Sequence, residues 1–110
     1  MSIVQSPENR IEFKQLIQQN KHKIIIVKAS AKWCGPCNAS SMYVIDEFNN
    51  THTTNKLLIN VNIDKQSDVA TFLKIRKIPT LISYKDGYPD QVIQSAEKNV
   101  IRSFFTKAFV

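Results

Sequence analysis

Glycine is almost missing from this chain: 110 residues hold two, Gly35 and Gly87. Cysteine is as scarce, with Cys34 and Cys37 alone, and Trp33 is the single tryptophan. The glycine deficit, set beside abundant Lys, Asn and Ile, reflects the base composition of the gene and excludes nothing by itself. The cysteine deficit does exclude something. A disulfide framework uses more cysteines at wider spacing, because closing a longer loop constrains the unfolded chain more. A pair three residues apart contributes little to stability, so chemistry or a metal must explain it. A structural zinc site wants four ligands. Only His22 and His52 remain to supply them, and both sit far away in expected surface loops. The sequence therefore predicts no metal, neither a zinc site nor a cluster shared between chains.

Long apolar runs are missing too. The longest, Ile24 to Val27, has four residues, against about 18 for a membrane span. Met1 to Arg10 carries Pro7, Glu8 and Arg10 and no apolar stretch, which predicts no secretory leader and a cytoplasmic chain. Repeats, low-complexity tracts and linkers are absent, and 110 residues suit one domain over 1–110. At that length about two thirds of the unfolded surface can be buried. A composition of 43% hydrophobic and 22% charged residues is that of a globular protein and not of a disordered one. The net charge is +6, yet the basic residues are scattered, with no block longer than Lys74-Ile75-Arg76-Lys77. That pattern reads as a solvated basic surface. It predicts no nucleic-acid partner and at most a preference for acidic proteins.

What is present alternates between helix and strand signals. Ser6-Pro7-Glu8 reads as a helix start with Ser6 as cap, followed by Ile11, Phe13, Leu16 and Ile17. Ile24 to Ala29 is a continuous β-branched run suited to a strand covered on both faces. Met42, Ile45 and Phe48 fit a helix ending near Asn49-Asn50. Leu57 to Ile63 is a second buried strand, and Val69, Phe72, Leu73 and Ile75 mark a short helix. Ile78-Pro79-Thr80 opens a third strand, Leu81 to Tyr84. Asp86-Gly87 is a hairpin signal, with Val92 and Ile93 in the return strand. Val100, Ile101, Phe104, Phe105 and Ala108 line a last helix. A βαβ unit followed by a ββα unit predicts an α/β fold, a mixed sheet with helices on both faces.

Cys34 and Cys37 fall between a predicted central strand and the helix after it. Unpaired backbone N–H groups and the helix dipole favour negative charge there, and thiols in that setting titrate below free cysteine. Only a thiolate attacks a disulfide. Cys34, the more N-terminal sulfur, is the expected nucleophile. Cys37 then attacks Cys34, releases the substrate and closes a short ring. Gly35 leaves room for close approach, Pro36 starts the helix, and Trp33 is expected as a partly exposed wall.

Trp33-Cys34-Gly35-Pro36-Cys37 resembles the active-site motif of the thioredoxin family. Ala31 before it, Asn62-Ile63-Asp64, Ile78-Pro79-Thr80 and Lys85-Asp86-Gly87 follow the family's order and spacing across roughly residues 7 to 108. The resemblance implies the thioredoxin fold and a protein thiol–disulfide oxidoreductase that reduces protein disulfides. It also implies a cis Pro79 facing the cysteines and keeping metal away, with the Ile78 backbone offered to an extended substrate and Ser95 beside that groove. No bound cofactor is implied. Electrons would come from an NADPH-dependent, thioredoxin-reductase-like enzyme, the clients would be disulfide-containing proteins, and the protein would act as a monomer.

The sequence departs from the family at Lys28, six residues ahead of Cys34, where a buried Asp is usual. Asn60 replaces the family's basic residue on the neighbouring strand. One reading has the Lys28 ammonium reaching an edge or a water. The other sets it beneath the sulfurs. A cation about 6 Å away at an effective dielectric near 20 is worth roughly 2.8 kcal/mol, which would tune the thiols and make the couple more oxidising. Desolvation could instead leave the amine neutral and able to act as a base. Two alternatives therefore stand beside the reductase: an oxidase or isomerase driven by Lys28, and a non-catalytic subunit in which the cysteines are dispensable.

Overall fold

A computed structural model describes residues 4–110; residues 1–3 of the expected domain lie outside it. The central strand β2 (Ile24–Ser30) is nearly all buried, as its unbroken apolar run requires. It pairs in parallel with β3 (Lys56–Asn62) and antiparallel with β4 (Thr80–Lys85). The hairpin partner β5 (Tyr88–Ile93) closes one edge. The other edge is β1 (Val4–Gln5), two residues running parallel to β3. The order β1-β3-β2-β4-β5 makes one mixed sheet of five strands. The hairpin turns at Asp86 and Gly87, both at positive φ (54° and 84°), the backbone that an Asp-Gly pair adopts most easily.

Alternate residues of each strand face opposite layers. Ile25, Val27 and Ala29 of β2 pack with Leu57, Ile59, Val61, Ile82 and Tyr84 against Phe13 and Ile17 of α1 (Arg10–Gln19) and Val69 of α3 (Ser67–Phe72). Ile26, Leu58 and Leu81 face the other way. There they meet Val44 and Phe48 of α2 (Gly35–Asn49) and Ile101, Phe104 and Phe105 of α4 (Lys98–Ala108). The expected α/β mixed sheet covered on both faces is thus the fold found.

Three local expectations are corrected. Ser6 and Pro7 do not start α1: its cap is Asn9, whose Oδ1 accepts from the Glu12 N–H at 2.9 Å. Pro7 is buried in the connection from β1, and its carbonyl accepts from Gln66 Nε2 at 2.6 Å. The first described element is a strand and not a helix, because the exposed Val4-Gln5 pair borrows hydrogen bonds from β3 and has no pattern of its own. On α2 the core positions are Cys37, Ser40, Val44 and Phe48, while Met42 is 61% exposed. The helix starts at Gly35, so its inward face is set by Cys37 and the spacing continues from there.

Candidate active site

Ser30 ends β2, and the chain turns through Ala31, Lys32 and Trp33 onto the first turn of α2. Cys34 is the N-cap of that helix, with extended backbone (φ −82°, ψ 108°), and its Sγ accepts from the Cys37 N–H at 3.2 Å. A sulfur has taken the place that a Ser or Asp side chain usually holds, so backbone donors and the helix dipole act directly on it. Pro36 sits in the first turn, where its missing N–H leaves no bond unmade. Cys34 and Cys37 are joined as a disulfide with Cα atoms 5.3 Å apart. Both are at least 95% buried.

The two cysteines pack with Ala31, Ile63 and Ile78 in a small apolar cluster of their own. Ile78 arrives there because β4 runs antiparallel to β2, with Thr80 opposite Ala29; the residues just before Thr80 therefore lie beside the loop that carries Cys34. The Ile78-Pro79 bond is cis, as the family resemblance implied. A Cβ built on Gly35 would meet nothing within 4 Å, so this face of the loop is open. Trp33 is 68% exposed, and its indole Nε1–H donates to Asp64 Oδ2 at 2.8 Å, which holds the ring as a wall of the site. Lys32 and Asn38 form an exposed polar rim, with the Asn38 amide donating to the Lys32 carbonyl.

Not every expected residue joins this cluster. Ser95 lies in the segment before α4, where its hydroxyl accepts from the Glu97 N–H at 3.0 Å. Lys28 points from β2 toward α2, on the same side as Ile26. Its ammonium donates to Ser41 Oγ at 3.3 Å. Burial lowers its pKa from the ordinary lysine value. Lys28, Ser30, Asn60 and Asn62 line a polar cavity of about 670 Å³. The Oδ1 of Asn60, opposite Lys28 in the sheet, is buried and has no hydrogen-bond partner among the described residues.

Two contributors were not foreseen. Asp64 holds Trp33, and the turn that presents it is an Asx turn in which Asn62 Oδ1 accepts from the N–H groups of Asp64 and Lys65. An Asn at the end of a strand was the available signal. Gln66, 8% exposed, ties this turn to the rest of the fold through the Asn62 N–H and the carbonyls of Pro7 and Asn60. A lone Gln in a polar stretch carries no sequence signal for such a role. Among the described residues, no three of His, Cys, Asp or Glu gather as metal ligands, and no helix is long and apolar enough to cross a membrane.

The Thioredoxin family model matches residues 4–107. The chain is 34% identical to a thioredoxin of Coprinus comatus over 107 residues, covering 96% of this chain and 98% of that one. It is 29% identical to a thioredoxin of Gallus gallus over 99 residues, covering 87% and 90%. Among solved structures, Plasmodium falciparum thioredoxin superposes with a TM-score of 0.81 at 26% identity, over 94% of this chain and 97% of that one. A buried sulfur pair at a helix N-terminus, an open loop face and these relatives agree: the chain belongs to the thioredoxin family and is a protein thiol–disulfide oxidoreductase, a disulfide reductase of the thioredoxin type.

Proposed function

We propose that the chain acts as a single-domain, monomeric cytoplasmic reductase of protein disulfides, recharged by an NADPH-dependent reductase of the thioredoxin-reductase kind. Cys34 is the nucleophile and Cys37 the resolving thiol. The observation that carries this assignment is Cys34 at the N-cap, with its sulfur accepting a backbone N–H. Of the two sulfurs it stands where the helix favours negative charge. A client extends along Ile78 and the cis Pro79 toward Ser95, with Trp33 as the flanking wall. No cofactor binds, because the dithiol itself carries the two electrons.

Lys28 adjusts the couple. An ammonium one hydrogen bond from Ser41, a turn beyond Cys37 on α2, favours thiolate over thiol and so stabilises the reduced form. Acidic clients suit the +6 chain, since opposite net charge raises encounter rates and salt screens the effect. The test is a trap. Cys37→Ser leaves the nucleophile and removes the resolving thiol, so clients should accumulate as mixed disulfides on Cys34. With Cys34→Ser in addition, capture should vanish. A Cys34→Ser, Cys37→Ser variant that reduces no protein disulfide yet still supports a larger complex would favour the non-catalytic reading instead.

A further inference from the structure

One corner of the sheet is polar where the strands beside it are apolar. On the layer that α2 and α4 cover, Ile26 of β2 and Leu58 of β3 stand side by side and are buried. Two residues further along, the same face carries Lys28 beside Asn60, and after them Ser30 beside Asn62. Val4 of β1 lies beside Leu58, so Ser6 comes level with Asn60 and extends that row. With Glu8, Lys65 and Gln66 these residues enclose the polar cavity of about 670 Å³, and all eight lining residues are polar or charged. Lys28, Ser30, Asn60 and Asn62 form a half-buried floor, while Ser6, Glu8 and Lys65 are exposed at the mouth. The fold leaves donors here unused. Among the described residues Lys28 has one hydrogen-bond partner, the neutral Ser41 Oγ at 3.3 Å, and no carboxylate. Asn62 spends its Oδ1 on the N–H groups of Asp64 and Lys65, which leaves its amide nitrogen over. Ser30 adds a hydroxyl and Lys65 a second ammonium. Gln66 differs: backbone groups take up both ends of its amide, so it is wall and not ligand. The acceptors are the Glu8 carboxylate and the buried Asn60 Oδ1 that has no partner among the described residues. Two ammonium groups against one carboxylate leave the cavity positive.

We propose that this cavity is a binding site for a small phosphate monoester of a polyol. The phosphate takes the Lys28 ammonium, the Ser30 hydroxyl and the Asn62 amide on the floor, and the Lys65 ammonium closes on it from the mouth. A carboxylate holds its oxygens in one plane. A phosphate monoester presents three strong acceptor oxygens around an axis and nearly two negative charges, which suits donors arriving from two strands and from the mouth. The cavity lies in the volume range of small-molecule sites and exceeds what a phosphate group fills, so the alcohol part sits inside it as well. That part must carry hydroxyls. They donate to the Asn60 Oδ1 and to the Glu8 carboxylate, where an apolar alcohol would leave a buried acceptor unmet. Glu8 also repels a second phosphate, so a monoester fits better than a diphosphate. The site needs neither cysteine and is separate from the surface where a disulfide client must reach Cys34.

The experiment titrates the isotope-labelled full chain, in its disulfide form, with glycerol phosphate, inorganic phosphate and succinate, and follows backbone and side-chain amide shifts by NMR. Ionic strength is held constant, so that general screening of the basic surface does not change along the titration. Glycerol phosphate should give saturable shifts centred on Ser30, Asn60 and Asn62. It should bind about three- to tenfold tighter than inorganic phosphate, the worth of a further hydrogen bond. Succinate should bind more weakly than either. Lys28→Met should weaken glycerol phosphate by about tenfold or more, the scale of a lost charge-assisted hydrogen bond. Glu8→Gln should tighten inorganic phosphate by about two- to fivefold, the scale of one exposed charge. If Lys28→Met does not fold, Glu8→Gln and Lys65→Met, both at exposed positions, decide the matter: tighter binding in the first and weaker in the second support the site. Shifts that never saturate, or that spread over the basic surface, overturn it. So does a folded Lys28→Met that binds glycerol phosphate within twofold of the parent, or succinate binding as tightly as glycerol phosphate. Inorganic phosphate bound as tightly as glycerol phosphate overturns the assignment of a polyol ester.

Discussion

At the scale of single residues, most of the site turns on where one side chain meets one backbone donor. Cys34 stands at the N-cap of α2, its sulfur accepting a backbone N–H; three residues later, Cys37 is interior to the helix and buried. Lys28 is the residue whose position costs stability. Burial lowers its pKa, so the folded protein binds this proton less tightly than the unfolded chain does. Stability attributable to Lys28 therefore rises as pH climbs from its folded pKa toward the ordinary lysine value, and it is lowest below that window. Lys28→Met should raise the urea midpoint at neutral pH, by less than about 1 kcal/mol because the amine keeps a solvated side. Under the tuning role proposed for Lys28, the same substitution should make the reduction potential more negative by roughly 15–30 mV. A potential shifted the other way would remove Lys28 from the account of the couple.

The residues legible in the sequence were those whose role follows from local position. Cys34, Cys37, Gly35 and Pro36 declare themselves by sitting after a buried strand run. Trp33 was legible as a wall, but Asp64, its partner 31 residues away, was not. Lys28 was visible as an anomaly. Ser41, which decides where its ammonium goes, is an ordinary serine until the helix and strand are packed together.

At the scale of elements, the helix ends show what sequence pattern carries and what it does not. The C-terminal end of α2 is held by Lys56 of β3, whose ammonium donates to the Phe48 carbonyl at 2.6 Å and Thr51 Oγ1 at 2.7 Å and lies 4.8 Å from the centre of the Phe48 ring. A cation at a helix C-terminus satisfies free carbonyls and the dipole together. Lys56→Met should cost about 1 kcal/mol, read as a lower urea midpoint with turnover unchanged. On the opposite face, Asp68 of α3 accepts from both the Arg10 backbone N–H and the Arg10 guanidinium at 2.8 Å, tying α3 to the start of α1. Those hydrogen bonds hold its carboxyl below the usual carboxylate range. The stability they add is present above the unfolded carboxylate pKa and is lost as pH falls through the folded one. Asp68→Asn should flatten the acid limb of a stability-against-pH profile slightly and leave the neutral region close to the parent, a slight change because the pair is solvated.

Strand and helix periodicity was legible in β2, β3, β4 and α4, whose apolar residues fill one or both layers. It failed at β1 and at the start of α1. Two exposed strand residues bury nothing of their own, and Pro7 imitates a helix start while serving as a buried acceptor for Gln66. The exposed Met42 shows the same limit on α2, where the capping geometry at Cys34, and not the apolar count, fixed the rotation of the helix.

For the molecule as a whole, the sheet assembles three distant pieces of chain at one end: the loop after β2, which runs into the open surface around Gly35, the turn after β3, and the cis Ile78-Pro79 before β4. The net charge of +6 acts over the whole of that surface. Rates with an acidic client should fall as ionic strength rises, and rates with a basic client should rise or stay flat, measured as initial turnover across a salt series. The central claim is that this dithiol is poised to reduce protein disulfides. The measurement that tests it most directly is the reduction potential of the Cys34–Cys37 couple, obtained by equilibration with glutathione buffers. Thioredoxins stand near −270 mV, and isomerases near −180 mV. The account predicts a value more negative than about −230 mV, displaced toward the oxidising side of the thioredoxin figure by the nearby ammonium. A value near or above about −180 mV would contradict it and make the chain an oxidant or isomerase of disulfides.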